Sequence, residues 1–273
     1  MSSRPDRYAL RGGAWGHDRL AILARDRWAD TSRFLSQVGI RSGARCIDVG
    51  CGGGAVTLEL AKWVGPDGHV VGLDRDRIKL EMARESARAS HIENIKFLEL
   101  SLSDWSESEA YDLVYSRFLL QHLASPAGAL SRMWKAVRPG GALAVEDMDH
   151  DGWSSVPQNS GVEFLRDGLK TAIGAYGGDP SVGRRLVELF REAGIPSPEG
   201  RKLGRGAFAP DTKVLAPLTL ESIQDSLENL NKGMAARCAA ALKELNEFVA
   251  DPRSLIHGPT LYQVLSRKAL DTS

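Results

Sequence analysis

Cysteine is scarce in this chain: its 273 residues include only Cys46, Cys51 and Cys238, with no Cys-x-x-Cys pair. An odd number of cysteines without paired spacing provides neither a disulfide framework nor the ligand pattern of a zinc ribbon. The longest stretch without Asp, Glu, Lys or Arg is residues 118–131, which is shorter than the roughly 20 apolar residues of a membrane span. The sequence therefore predicts neither a disulfide-stapled domain nor a transmembrane helix.

An excess of charge of either sign is also missing, because 35 basic residues balance 35 acidic ones. A chain without net charge has no general attraction for polyanions, so nucleic acid is not expected as a partner. Charged side chains between residues 4 and 11 interrupt the N-terminus and leave no apolar segment for a secretory signal. These features predict a cytoplasmic globular protein and are compatible with a homo-oligomer.

Apolar patterning along the chain indicates short strands that alternate with amphipathic helices, which is typical of an α/β fold with a parallel sheet. The predicted strands are residues 45–49, 69–73, 95–100, 111–115 and 142–146, with a closing strand at 260–266. Ligands of such a sheet bind beyond the carboxyl ends of its strands. The site is therefore expected near the residues that follow these strands.

Four regions are predicted within one compact catalytic domain. They are a helical cover over residues 1–39, a core over 40–150, a substrate-binding lid insertion and a helix over 151–210, and C-terminal helices with a closing strand over 211–273. The lid region contains four aromatic residues, Trp153, Phe164, Tyr176 and Phe208. They either select flat or apolar acceptors at a site that excludes water, or form the lid's own small core.

A glycine-rich turn follows the first strand, over residues 46–54. Glycines let the backbone approach a ligand closely, and the next helix offers free N–H groups at its start. Gly50 and Gly52 begin a match to the dinucleotide fingerprint, and Asp74 ends the second strand as a ribose-binding acid would. A nicotinamide-dependent oxidoreductase is thus one interpretation, but Asp48 would place negative charge near the pyrophosphate. A ligand that carries an ammonium and a sulfonium tolerates that charge.

The whole pattern resembles the class I S-adenosylmethionine-dependent methyltransferases of the bacterial small-molecule type over about residues 40–150. The matching motifs are Asp48-x-Gly50-x-Gly52-x-Gly54, Asp74, Tyr111–Arg117 and Arg138-Pro-Gly-Gly141, with a looser match at Tyr8-x-x-Arg-Gly-Gly and Gly16-x-x-Arg19-Leu20. The resemblance implies a Rossmann-like, doubly wound, mostly parallel seven-stranded sheet with an N-terminal helical cover and a lid after strand five. It also implies S-adenosyl-L-methionine as cofactor and a small-molecule acceptor, such as a specialised metabolite, that is methylated at oxygen or nitrogen.

The same resemblance implies roles at the cofactor. Asp48 would help to hold the ammonium group, Asp74 would accept from both ribose hydroxyls, and Arg75 would flank the adenine. Ser101 stands where the family usually has an adenine-binding Asp. Arg117 would lie near the methionine moiety or, alternatively, form a surface salt bridge. The predicted cofactor-binding residues are Arg19, Asp48, Gly50, Cys51, Gly52, Asp74, Arg75, Ser101, Leu102 and Arg117.

Methyl transfer depends mainly on positioning, although a base assists a hydroxyl acceptor. His150 follows an acidic turn and is a candidate base that Asp147 or Asp149 would orient, although such a turn needs no function. His122 is the second catalytic candidate, and packing or a buried hydrogen bond is the favoured interpretation there. No metal site is predicted, because alternation along a strand turns Glu146 away from Asp147. Binding of S-adenosylmethionine without methyl transfer is the remaining alternative.

Overall fold

The computed structural model describes residues 14–204 and 207–270, with side chains from residue 19 onward. The predicted cover motif at Tyr8–Gly13, like all of residues 1–13, lies outside the described residues. In chain order the elements are α1 (Ala14–Val38), β1 (Arg45–Val49), α2 (Ala55–Val64), β2 (His69–Asp74), α3 (Arg77–Ala89), β3 (Ile95–Glu99), β4 (Tyr111–Arg117), α4 (Pro126–Ala136), β5 (Val137–Asp149), β6 (Ser154–Val156), α5 (Ser160–Ala175), α6 (Val182–Glu192), β7 (Glu199–Leu203), α7 (Leu215–Leu230), α8 (Met234–Ala250), β8 (Leu255–His257) and β9 (Thr260–Arg267). Two short 3₁₀ turns span Leu120–His122 and His150–Gly152.

Seven of the strands form one sheet in the order β3-β2-β1-β4-β5-β9-β7. The first five pair in parallel, whereas β9 runs antiparallel to both β5 and β7. This confirms the predicted mostly parallel seven-stranded sheet. The strand order reverses between β1 and β4, so the carboxyl ends of these two strands open a crevice where α/β sheets bind ligands.

Helices cover both faces of the sheet because its central strands are apolar on both sides. Phe34 and Leu35 of α1 pack with Leu60 of α2 on one face. On the other face α4 and α6 bury a cluster that includes Leu130 and Leu186. Each such leucine contributes about 2 kcal/mol by leaving water. The packing fixes the strand ends that carry the site.

A second apolar cluster lies outside the sheet, where α5, α7 and α8 pack on one another. Gly168 of α5 allows this close approach, since a Cβ there would lie 3.1 Å from Leu227 Cδ1 of α7. Within residues 151–210, predicted as a lid insertion and a helix, α5 joins this cluster, whereas α6 and β7 complete the sheet layers. The reason is that Leu186 and Phe190 give α6 an apolar stripe that the sheet buries.

Within residues 14–204 and 207–270, the structure contains no helix that is long and apolar enough to cross a membrane.

Candidate active site

A cavity of about 1740 Å³ opens at the carboxyl ends of β1 to β4, between the sheet and helices α1, α5 and α7. We call the part formed by the loops after these strands the sheet half; its residues include Asp48–Gly53, Asp74–Asp76, Leu100–Ser103 and Arg117–Leu119, with Lys79 and Arg132. We call the part formed by the helices the lid half; it comprises Leu20, Ala21, Leu23 and Ala24 of α1, Gly174–Gly177 at the end of α5, and Ser222, Asp225, Ser226, Asn229 and Leu230 of α7.

The glycine-rich loop is tied to the neighbouring strand by its own main chain. The N–H groups of Gly50 and Cys51 both donate to the carbonyl of Leu73, at 2.7 and 3.0 Å. Gly54 has a φ of 78°, and a Cβ there would lie 2.9 Å from the Cβ of Ala83. Only glycine combines this backbone angle with this approach at low cost. The loop is therefore held as a fixed wall of the sheet half.

Asp74 braces the same loop from the end of β2. Its Oδ2 accepts from the N–H of Gly52 at 2.8 Å, and its Oδ1 accepts from the N–H of Asp76 at 2.9 Å. A carboxylate offers about four lone-pair sites, so two bonds leave acceptor capacity at a side chain that lines the cavity. The carboxylate can thus hold the loop and still accept from a ligand.

Asp48 lies inside β1 and is only 3% exposed. Burial raises the pKa of Asp48 to about 6, while the hydrogen bond from Thr57 Oγ1, at 2.7 Å, and the charge of Arg117 act in the opposite direction. Arg117 donates to Thr31 Oγ1 at 3.1 Å, and its guanidinium lies 5.1 Å from the ring centroid of Phe118. Arg117 is thus half-buried at the cavity, and the hydrogen-bond partner that it contacts in the described part of the chain is a hydroxyl.

The loop after β3 contributes polar groups of a different kind. The hydroxyls of Ser101 and Ser103 share a hydrogen bond of 2.8 Å. Arg132, which the sequence did not single out, donates from Nη1 to the carbonyls of Ser103 and Trp105, at 2.6 and 3.1 Å. Both Ser101 and Arg132 line the cavity, so the loop is fixed from α4 while its serine hydroxyls face the site.

His122 also lines the cavity, from the 3₁₀ turn after β4. Burial lowers the pKa of His122 well below its usual range, and His150, Arg19, Lys79 and Arg75 lower it further. The imidazole is therefore neutral at pH 7, which suits hydrogen bonding to an uncharged hydroxyl or amine.

His150 is 6% exposed and has partners within the protein at both ring nitrogens. Its Nε2 lies 2.7 Å from Gln121 Oε1, and its Nδ1 accepts from Trp153 Nε1 at 3.3 Å. Since an amide oxygen only accepts, the ring proton is assigned to Nε2. Burial lowers the pKa of His150 to about 4.

Asp147 is fully buried next to the same glutamine. It accepts from the N–H of Met148 at 2.9 Å and from the N–H of Gln121 at 3.3 Å. Burial raises the pKa of Asp147 to about 7, against these hydrogen bonds. Asp147 and His150 together hold the residue that precedes His122.

The structure thus separates the sequence-predicted residues into two sets. Those that line the cavity are Asp48, Gly50, Cys51, Gly52, Asp74, Arg75, Ser101, Leu102, Arg117 and His122. In the described part of the chain, Arg19, Asp147 and His150 are buried beside the cavity and are not among its lining residues. Their predicted roles stay predictions.

The lid aromatics divide in a similar way. Trp153 and Phe208 are buried in the lid cluster, with ring centroids 5.8 Å apart in an edge-on arrangement. Phe164 packs against that cluster beneath the guanidinium of Arg237. Tyr176 is the lid aromatic that reaches the cavity. Most of these aromatic rings therefore pack in the lid's own core.

Comparison with known proteins agrees with this geometry. A family model described as a methyltransferase domain matches residues 40–171. Trans-aconitate 2-methyltransferase of Methylobacterium radiotolerans is 30% identical over 62% of this chain and 60% of its own length. Demethylmenaquinone methyltransferase of Lactococcus lactis is 26% identical over 70% of this chain and 80% of its own length.

The match spans between 46% and 60% of the length of most of the curated relatives. Among solved structures, a protein from Bacillus halodurans superimposes with a TM-score of 0.58 at 15% identity, covering 88% of this chain and 99% of that one. That likeness establishes a shared fold.

Proposed function

We propose that this chain is a class I S-adenosylmethionine-dependent methyltransferase that methylates a small molecule at oxygen or nitrogen. Its similarity to the methyltransferase-domain model and to curated methyltransferases supports this proposal. S-adenosylmethionine is the cofactor of that family, as the resemblance of the sequence implied. One observation carries the proposal: the glycine loop and Asp74 line the same cavity as three helices that leave space for a second ligand. Ligand sites are commonly about 300–1,000 Å³, so the cavity has room for a cofactor and an acceptor together.

The donor and acceptor groups of the sheet half fit this cofactor. When bound, it supplies a methyl group activated by a sulfonium. Asp74 has carboxylate capacity for the ribose hydroxyls, and Asp48 provides negative charge beside the glycine loop for an ammonium group. Arg117 provides positive charge for a carboxylate, and Ser101 offers a hydroxyl to the adenine. Asp48 also opposes the oxidoreductase alternative, because it would face a pyrophosphate.

His122 is the residue that we propose to contact the acceptor. A neutral imidazole can accept a hydrogen bond from an acceptor hydroxyl and so aim its oxygen at the methyl group. A pKa far below 7 makes it a weak base, so orientation is its main contribution. Asp147 and His150 act as positioning residues, since they hold Gln121 through its N–H and its side-chain amide.

The backbone of this turn needs such support. Phe118 has a φ of 59°, which is uncommon for a residue with a bulky side chain. Its N–H donates to the carbonyl of Glu146 at 2.9 Å, and its carbonyl accepts from Gln121 Nε2 at 3.3 Å. These bonds fix the segment that brings Phe118, Leu119 and His122 to the cavity.

The test is incubation of the purified protein with methyl-labelled S-adenosylmethionine and a cell extract separated into small-molecule, protein and nucleic-acid fractions. The proposal predicts label in the small-molecule fraction, lost in Asp74→Ala. Label in protein or nucleic acid would overturn the acceptor class and keep the chemistry. Binding of S-adenosylhomocysteine with no label in any fraction would favour a protein that binds the cofactor without methyl transfer.

A further inference from the structure

The main chain that follows α5 is in contact with the turn that carries His122. The N–H of Asp179 donates to the carbonyl of Gln121 at 3.0 Å. A Cβ on Gly178 would lie 2.2 Å from that same carbonyl oxygen, so glycine is the residue that allows the two segments to approach this closely. The residues just after Tyr176 therefore lie against this turn.

Tyr176 is held in place by the way in which α5 ends. The N–H of Gly177 donates to the carbonyl of Gly174 at 3.0 Å, and the N–H of Gly178 donates to the carbonyl of Ile173 at 3.1 Å. Gly177 has a φ of 83°. Two such bonds around a left-handed residue form a Schellman motif, in which Tyr176 is the C-cap of the helix. The backbone of Tyr176 is therefore fixed relative to the turn that carries His122.

The cavity has apolar walls on both sides of this turn. Leu119 and Leu123 flank His122 in the sequence, line the cavity and pack against the apolar cluster under α4 and α6. Leu23 of α1 and Tyr176 also line the cavity, but they pack against the lid cluster. A ligand beside His122 therefore meets hydrocarbon side chains from the sheet and an aromatic ring from the lid.

Tyr176 has unused capacity for contact with a ligand. Tyr176 and Phe118 are the aromatic residues that line the cavity in the described part of the chain. The guanidinium of Arg117 already lies 5.1 Å from the ring centroid of Phe118. Within residues 14–204 and 207–270, Tyr176 has neither an aromatic or cationic stacking partner nor a hydrogen bond at its hydroxyl. A half-buried tyrosine normally uses both its ring and its hydroxyl.

We propose that Tyr176 determines acceptor specificity by selecting a planar acceptor, an aromatic or otherwise conjugated ring that packs on the Tyr176 ring and carries a polar substituent that hydrogen-bonds to the tyrosine hydroxyl. Aromatic rings gain from offset or edge-on packing with one another, which a saturated molecule of the same size does not. Leu119 and Leu123 cover the ring of the acceptor from the sheet. This inference rests on the proposed function, because it concerns the acceptor that His122 would orient.

The test compares wild type with Tyr176→Leu, which removes the aromatic ring, and Tyr176→Phe, which removes only the hydroxyl. Phe164→Leu is the matched control. Phe164 is also a half-buried aromatic residue of α5 that packs against the lid cluster, but it is not among the described residues that line the cavity.

Wild type is incubated with methyl-labelled S-adenosylmethionine and a small-molecule extract, and the labelled product is purified. Its ultraviolet absorption and its mass show whether the acceptor contains a conjugated ring. The acceptor identified in this way is then used to measure kcat and KM for every variant. Calorimetric titration with S-adenosylhomocysteine measures the cofactor site separately.

We expect the labelled product to contain a conjugated ring. Tyr176→Leu should raise the KM for the acceptor by about tenfold, as loss of an aromatic contact does. Tyr176→Phe should raise it by about threefold, because one neutral hydrogen bond is lost. The kcat and the dissociation constant of S-adenosylhomocysteine should stay within about twofold of wild type, since the contact is made equally before and during the reaction. Phe164→Leu should leave all three constants within about twofold.

A labelled product without a conjugated ring, or equal KM values for Tyr176→Leu and Phe164→Leu, would overturn the role of Tyr176 while the methyltransferase proposal stands. Weaker S-adenosylhomocysteine binding by Tyr176→Leu with an unchanged acceptor KM would also overturn it, because Tyr176 would then contact the cofactor. Absence of label in the small molecules for wild type would overturn the proposed function and this inference together. If circular dichroism shows that Tyr176→Leu is unfolded, the KM of Tyr176→Phe decides, and an unchanged value contradicts the proposal.

Discussion

The two halves of the cavity are formed by different kinds of structure. The sheet half consists of main-chain turns at strand ends, where the N–H of Gly50 donates to the carbonyl of Leu73 at 2.7 Å and the N–H of Gly52 donates to Asp74 at 2.8 Å. The lid half consists of helix faces whose side chains reach the cavity from α1, α5 and α7. Its support is an apolar cluster separate from the sheet.

This difference explains how one fold can bind the same cofactor in many proteins and a different acceptor in each. A turn fixed by strand ends and glycine backbone tolerates little change, since each substitution alters the main chain itself. A helix face can exchange its side chains while the helix stays packed through its opposite side. The sheet half is therefore suited to a common cofactor, and the lid half to a particular acceptor.

The largest expected effect concerns the rigidity of the sheet half. Gly54→Ala should lower the free energy of unfolding by about 4 kcal/mol, because it adds left-handed backbone strain to a steric clash. Gly39→Ala is the matched control, since Gly39 has a φ of 74° with nothing within 4 Å of a Cβ. That variant should lose about 1 kcal/mol by strain alone. Equal losses in urea denaturation would contradict a close-packed loop.

The next effect concerns cofactor affinity. Asp74→Ala removes the hydrogen bond from Gly52 and the carboxylate that we propose as the acceptor for the ribose hydroxyls. It should weaken S-adenosylhomocysteine binding by about 3 kcal/mol, or roughly 150-fold. Calorimetric titration measures this, with Asp67→Ala in an exposed turn as the control. An unchanged dissociation constant would remove Asp74 from the cofactor site.

The free energy of unfolding should depend on pH because His150 is buried as a neutral imidazole. His150 has a pKa of about 4 when folded, below its ordinary 6.5, so the unfolded chain binds its proton first as pH falls. The stability that neutral His150 provides is present above about pH 6.5 and is lost toward pH 4.

Relative to His150→Gln, the wild type should therefore lose about 2 kcal/mol of unfolding free energy between about pH 7 and pH 5. Denaturant titrations of both proteins across this range measure the difference, in which the other titrating groups cancel. A difference that stays constant with pH would show that His150 is not buried in its neutral form.

The smallest effect concerns the acceptor. His122→Gln should lower kcat by about tenfold, or about 1.4 kcal/mol, because an orienting contact is lost while most binding remains. The KM for S-adenosylmethionine should stay within about twofold of wild type. His69→Gln at the exposed start of β2 is the control. A change confined to the KM for the cofactor would assign His122 to the sheet half instead.

Much of the sheet half could be predicted from sequence because its residues are close together in the chain. The apolar run before Gly50, the glycines after it and Asp74 at the next strand end are local signals. The alternation of short apolar runs with helices also predicted the first five strands, whereas their order in the sheet comes from the structure. Strand ends were less predictable: β5 extends to Asp149 because β9 pairs with it over Ala142–Asp149.

The lid half could not be predicted in the same way. Helix α5 was missed because Gly161, Gly168 and Gly174 lower its helix propensity, and tertiary packing on α7 overrides that preference. Helix α7 has polar residues at a helical period that is visible in the sequence, at Ser222, Asp225, Ser226 and Asn229, but a polar helix face normally meets solvent. Only the approach of α1 and α5 shows that Asp225 faces a cavity.

The most direct test of the division between the two halves is hydrogen exchange with and without S-adenosylhomocysteine. We expect the amides of residues 50–54, 74–76 and 101–103 to exchange more slowly by about tenfold or more at saturation, while those of α7 keep their rates. Protection of α7 with unchanged exchange in the glycine loop would contradict the assignment of the sheet half to the cofactor.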